Sequence, residues 1–311
     1  MTMAPKADAK VILFCLGHAG GSAADFRQWD KNLSGAIRLV PIVLPGHMPR
    51  VKEPLIKDVS AVVEQLVPAL VKEIDRPFAF FGQSFGTLVA FESAIRLTAM
   101  GKPPVAIVVS GRRAPQFPDP VPGEKKCSEL PDSEMVSTIS DRYHDSQMLQ
   151  IMRTAPQMLE AFLGPLRGDM TAFDGYKLRP VVSPPPLSCP IMTAAGMQDD
   201  RVTDDNGMAW SAQTSAKCPP LRRYKGNHFY NRIDESVKAM LADAESFIIQ
   251  SISAPAPVPA PAPAAGPAPT PAVTAAPTKK EEKPVAAAPA VPSQAPNSGQ
   301  EDAFDASLMC F

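Results

Sequence analysis

The segment Phe78–Ala90, FAFFGQSFGTLVA, restricts the possible folds of this chain more than any other. An apolar run stops at Gly82-Gln83-Ser84-Phe85-Gly86 and gives way to residues at helical spacing. That is the strand, sharp turn and helix in which a serine is held out on a strained bend. A side chain at either flanking glycine would collide with the neighbouring strand or helix, so positions 82 and 86 must be glycine. Ser84 is the candidate nucleophile. A bare G-x-S-x-G also arises by chance, but the buried strand Phe78–Phe81 and the amphipathic stretch after the turn are the context the motif needs.

The chain has 311 residues, 36 of them proline, and the prolines are unevenly placed. From Ala254 to Pro296 alanine and proline dominate, with no aromatic residue and no hydrophobic periodicity. Such a segment cannot bury enough apolar surface to offset its chain entropy, so residues 254–300 are expected to be a disordered, extended linker. Residues 1–253 are then the folded unit. In the last segment, 301–311, Phe304, Leu308 and Phe311 share one face of a short helix, which could dock onto a partner or stay frayed.

A net charge of −1 and the lack of a Lys/Arg stripe argue against nucleic-acid binding. No stretch approaches a membrane span, and the run VILFCL is too short for a signal peptide. Five scattered cysteines without C-x-x-C spacing argue against a disulfide framework or a zinc site. The expectation is a soluble, cytoplasmic protein, monomeric, with no metal and no membrane contact.

Strand-like runs at Val11–Leu16, Ile37–Val43, Phe78–Phe81, Val105–Ser110, Pro190–Ala195 and Leu221–Tyr224 alternate with helical patterns at Asp58–Ile74, Thr87–Met100, Asp204–Ala216 and Ile233–Ser251. This predicts an α/β fold with a mainly parallel sheet covered on both faces, and function at the carboxyl ends of its strands. One interval breaks the alternation. Residues 112–180 hold no convincing strand but carry helical spacing at Ser133–Tyr143 and Gln147–Leu166. We read it as a helical lid inserted over the active-site end, the alternative being a peripheral helical layer.

A serine hydroxyl needs a base, and the base an orienting acid. Of the two histidines after Ser84, His144 falls inside the helical insertion, whereas His228 lies between the last strand and the last helix, in the loop position for a general base. For the acid, Asp199 and Asp200 follow the strand Pro190–Ala195. Asp199 is preferred and Asp200 is the alternative, since spacing cannot separate neighbours; the other could cap the helix beginning near Asp204. An oxyanion needs preorganised backbone donors. The amide of Phe85 is one, and Gly17-His18-Ala19-Gly20-Gly21, after the first strand, supplies the other, with Ala19 favoured. His18, Gly20 and Gln83 are expected at the substrate's edge.

The motifs LFCLGHAGGSAADFRQW, VLPGHMPR, FAFFGQSFGTLVAFESA, VVSGRRAP, GMQDDRV and YKGNHFY occur in that order. Together they resemble the type II thioesterases of polyketide and nonribosomal peptide synthesis, over about Val11 to Ser251. The resemblance implies an α/β-hydrolase fold, a triad of Ser84, Asp199 and His228, and an oxyanion hole from Ala19 and Phe85. It also implies hydrolysis of acyl groups from the phosphopantetheine arm of an acyl or peptidyl carrier protein, with no cofactor of the enzyme's own. Leu166-Arg167-Gly168-Asp169 looks like a degenerate form of the family's Arg-Ala-Asp stretch. Gly17, His47 and Gln83 depart from the family's usual proline, arginine and histidine. Rival readings are a small-molecule carboxylesterase, lipase or acyltransferase on the same triad, and a non-catalytic scaffold tethered by the proline-rich tail.

Overall fold

The computed structural model describes Lys6 and residues 8–253, apart from 147–149, 151–153 and 155. The expectations for 254–300 and 301–311, and for the start of the helix from Gln147, lie outside the described residues. Six strands form one sheet in the order β2-β1-β3-β4-β5-β6, every neighbouring pair parallel. They are β1 (Val11–Leu16), β2 (Ile37–Pro41), β3 (Phe78–Gln83), β4 (Ala106–Ser110), β5 (Ile191–Gly196) and β6 (Arg222–Tyr224).

The strands read as continuous apolar runs because both sheet faces are buried, and successive side chains alternate between them. Ile12, Phe14, Leu16, Phe78, Phe80, Ile107 and Val109 belong to one core. Helices α1 (Val59–Glu73) and α2 (Phe85–Ala99) cover that side. Val11, Leu13, Cys15, Ala79, Phe81, Ala106 and Val108 point the other way. They pack with Phe26, Trp29 and the final helix α6 (Asp234–Ser253). Asp58 caps α1 by accepting from the Ala61 amide at 2.9 Å.

The insertion contributes α3 (Asp132–Tyr143) and α4 (Pro156–Asp174). Two expectations need correction. The helix expected over Asp204–Ala216 is a single short turn, α5 (Asp204–Met208), followed by a 3-10 segment, Ala209–Gln213. There Trp210 is drawn inward, its indole N–H donating to the Arg112 carbonyl at 2.9 Å and its ring packing on Phe91. The cap of α5 is Thr203, accepting from the Asn206 amide, and neither Asp199 nor Asp200.

Strand β1 lies between β2 and β3, so the chain leaves it to one side and returns on the other. The loops after β1 and β3 therefore flank the crevice where strand order reverses. Leu16 is in register with Gly82, which sets the two loops side by side. A Cβ at Gly86 would come within 2.4 Å of the Leu16 and Gly17 carbonyl oxygens, both backbone atoms that cannot swing aside. Gly86→Ala should therefore destabilise the fold by about 3 kcal/mol or more. At Gly35, where an added Cβ meets nothing within 4 Å, the same change should be close to neutral. Urea unfolding of the two variants checks this, and equal midpoints would contradict the packing argument.

Among the described residues no helix is long and apolar enough to cross a membrane, and no cluster of His, Cys, Asp and Glu could hold a metal ion.

Candidate active site

Ser84 sits on the turn between β3 and α2 with φ 52° and ψ −113°, a left-handed backbone that costs a non-glycine residue about 1–3 kcal/mol. Hydrogen bonds hold the turn in that shape. The Ser84 amide donates to Ser110 O at 2.8 Å, the Thr87 amide to Ser84 O at 3.0 Å, and the Thr87 hydroxyl to Gly82 O at 2.7 Å. Helix α2 begins at the next residue, so the Phe85 amide is one of the donors that a helix N-terminus leaves without an intrahelical partner.

His228 follows β6 on a loop buried against the elbow, and its Nδ1 lies 3.0 Å from Asp199 Oδ2. The other carboxylate oxygen of Asp199 accepts from the Arg201 amide at 3.1 Å, which fixes the orientation of the group. Burial pushes the Asp199 carboxyl up, but the charge and hydrogen bond of His228 outweigh it and hold the carboxyl below its ordinary range. Asp200 points away. It is exposed and lies 3.3 Å from His144 Nε2, itself exposed at the end of α3. The two loops meet at Gly196, where an added Cβ would come 2.1 Å from Asn227 O, so only glycine lets the acid loop lie against the base loop.

After β1, the loop Gly17–Gly21 turns back toward Ser84. Among the described residues no protein acceptor takes the Ala19 or the Phe85 amide. His18, Ala19, Ser84 and His228 line one cavity, together with Ile139, Tyr143, Leu166, Met170 and Phe173 of the insertion. The insertion thus covers the site with apolar side chains from α3 and α4. Of the three residues expected at the substrate's edge, His18 lines this cavity, and its ring meets Phe229 edge to face at 5.2 Å. The other two take protein partners instead. Gln83 is fully buried, its amide donating to His228 O at 3.0 Å and accepting from the Ser110 hydroxyl, so it braces the base loop. Gly20 has φ 73° and its amide donates to Asp169 Oδ2 at 2.8 Å, and it is not among the residues that line the cavity with Ser84.

Sequence reasoning missed other residues. Tyr143 of α3 lies over the His228 ring at 4.3 Å, and His144 O accepts from the Asn227 side chain at 2.7 Å, so the insertion pins the base loop. The Asp119 carboxylate, its side chain 6% exposed, accepts from Arg112 at 2.5 Å and from Arg201 at 2.9 Å. That network anchors the chain next to Asp199. The contact of Asp119 with Arg201, 82 residues further along the chain, left no spacing signal in the sequence.

A serine on a strand-to-helix turn, below a carboxylate–imidazole pair at the carboxyl edge of a parallel sheet, defines an α/β-hydrolase fold. Residues 11–247 match the thioesterase domain family, and the chain belongs to that family. It is thus a hydrolase of the thioesterase class. It is 35% identical over 247 residues to linear gramicidin dehydrogenase LgrE of Brevibacillus parabrevis, covering 78% of this chain and 90% of that protein. It is 33% identical over 235 residues to thioesterase PikA5 of Streptomyces venezuelae, covering 73% and 77%. Among solved structures it superposes with TM-score 0.66 on the type II thioesterase BorB from the borrelidin biosynthetic cluster, at 31% identity, covering 76% of this chain and 92% of that one.

Proposed function

We propose that this protein releases acyl groups from the phosphopantetheine arm of a synthase's acyl or peptidyl carrier protein, through an acyl-Ser84 intermediate. The observation that carries this reading is the Asp199–His228 pair, 3.0 Å apart, whose imidazole shares a cavity with Ser84 and with the apolar side chains of the insertion. Family membership and the likeness to thioesterases of biosynthetic clusters support the substrate class.

In this reaction His228 Nε2 takes the Ser84 proton as Oγ attacks the thioester carbonyl carbon. Asp199 holds the Nδ1–H tautomer and stabilises the imidazolium. The negative charge that develops on the carbonyl oxygen meets the Ala19 and Phe85 amides, with the positive end of α2 behind the second. As the C–S bond breaks, His228 returns its proton to the leaving sulfur. Water then gives a proton to His228 and attacks the acyl-serine, and the carboxylic acid leaves as the proton returns to Ser84 Oγ. Side chains, backbone amides and water carry every step, so the route asks for no cofactor.

Turnover on acyl-carrier-protein thioesters and on oxygen esters of the same acyl groups tests this reading. We expect kcat/KM for the carrier-bound thioester to exceed that for the matched ester by roughly 100-fold or more. Equal rates on both would favour a general esterase, and transfer to an added alcohol in preference to water would favour an acyltransferase.

A further inference from the structure

Outside the proposed triad, one buried ion pair touches the machinery. Asp169, on α4, is 2% exposed, and a single oxygen of its carboxylate, Oδ2, accepts both the Gly20 amide at 2.8 Å and His47 Nε2 at 2.9 Å. His47 is 4% exposed and sits on the loop after β2. Its other ring nitrogen, Nδ1, lies 3.1 Å from Pro45 O. Both ring nitrogens thus face oxygen acceptors, and only the imidazolium can donate to both. A neutral ring would turn a lone pair toward one of those oxygens.

The same contact fixes the loop after β1. Gly20 is the residue after Ala19, and its backbone is packed so closely under α4 that a Cβ would lie 2.7 Å from the Phe162 ring and 3.2 Å from Leu166 Cβ. With its amide tied to Asp169, the peptide that follows Ala19 cannot rotate. We propose that Asp169 and charged His47 are a positioning pair that holds the loop after β1 with the Ala19 amide aimed at the reacting oxygen. The inference rests on the acyl-serine reading.

The groups around the imidazole leave Asp169 as its counter-ion. The cavity beside it is lined on the ionisable side by Asp169 from α4 and His18 from the loop after β1. Asp25 stands behind His18, 3.8 Å from its Nε2. On His47's own loop Arg50 and Glu53 pair with each other. Burial lowers the His47 pKa, but the hydrogen bond and charge of Asp169 outweigh it and hold it above the ordinary imidazole value. A pKa raised in this way means that the charged pair is intact at lower pH and is lost as pH climbs through the raised value. Loss of the proton from His47 then gives the pH profile an alkaline limb.

The test is kcat and KM of the full chain across roughly pH 6 to 9 for the parent, Asp169→Asn and His47→Gln, with thermal unfolding run on each. We expect an alkaline fall in kcat for the parent. Each variant should lose roughly 10- to 100-fold in kcat at neutral pH, with KM changed by less than about threefold, because an aimed donor acts in the transition state. Neither variant should retain the alkaline limb. An alkaline limb that is absent from the parent or persists in both variants overturns the proposal, as does kcat within about twofold of the parent. Should Asp169→Asn fail to fold, the His47→Gln profile against the parent decides alone. Parent turnover that depends on Ser84, with unchanged variants, would sink the positioning pair only; thioester hydrolysis undiminished in Ser84→Ala would sink the acyl-serine reading itself.

Discussion

Replacing Ser84 by alanine should lower thioester turnover by roughly four orders of magnitude or more while leaving the protein folded. The two parts of that expectation have separate causes. The hydroxyl is the only nucleophilic atom that the strained turn at φ 52° presents to the cavity shared with His228. Without it the oxyanion donors and binding surface can still favour attack by water, so some activity remains, but the covalent route is closed. The fold should survive because the turn is held by the Ser84 backbone, through its amide to Ser110 O and its carbonyl to the Thr87 amide, and alanine keeps both. A fluorophosphonate probe should label the parent at Ser84 and leave the variant unlabelled. Turnover in Ser84→Ala within tenfold of the parent would mean that another group attacks the acyl carbon.

Asp199→Asn should cost roughly three to four orders of magnitude in kcat, whereas Asp200→Asn should stay within about twofold of the parent. The asymmetry comes from the structure on either side of one peptide bond. Asp199 is 4% exposed, with one oxygen on His228 Nδ1 and the other on the Arg201 amide. An asparagine there would present an amide N–H to the imidazole or leave Nδ1–H facing a weaker, neutral acceptor, and in either case the imidazolium formed during attack would lose its counter-charge. Asp200 is exposed on a surface contact with His144, where solvent screens the pair. Steady-state kinetics of the two variants, made side by side, measures the difference; greater damage from Asp200→Asn would reverse the assignment of the acid.

Much of this was legible in the chain itself, for reasons that lie in local chemistry. Strands buried on both faces must be apolar throughout, so β1, β3 and β4 stand out as runs such as VILFCL and AIVVS. An elbow without glycine at 82 and 86 cannot be built, so the candidate nucleophile was marked by its neighbours. The order of Ser84, the acidic pair and His228 followed from their positions at strand ends. The helix after β5 was less legible, since its early end depends on Trp210 reaching the Arg112 carbonyl from a distant part of the chain.

What sequence determined, then, was the set of elements and the residue types at the ends of the strands, because periodicity and turn chemistry act over a few residues. What only the tertiary structure decided was which of those residues face one another. Burial separated Asp199 from Asp200, although the two are adjacent and chemically identical. Long-range packing turned Gln83 from a residue expected to meet substrate into a brace for the base loop, and joined Gly20, His47 and Asp169, with sequence separations of 149 and 122 residues at the two contacts. Pairings of that kind leave no periodic trace in a single chain; they exist only once the sheet, the crevice beside β1 and the helices of the insertion have fixed the distances.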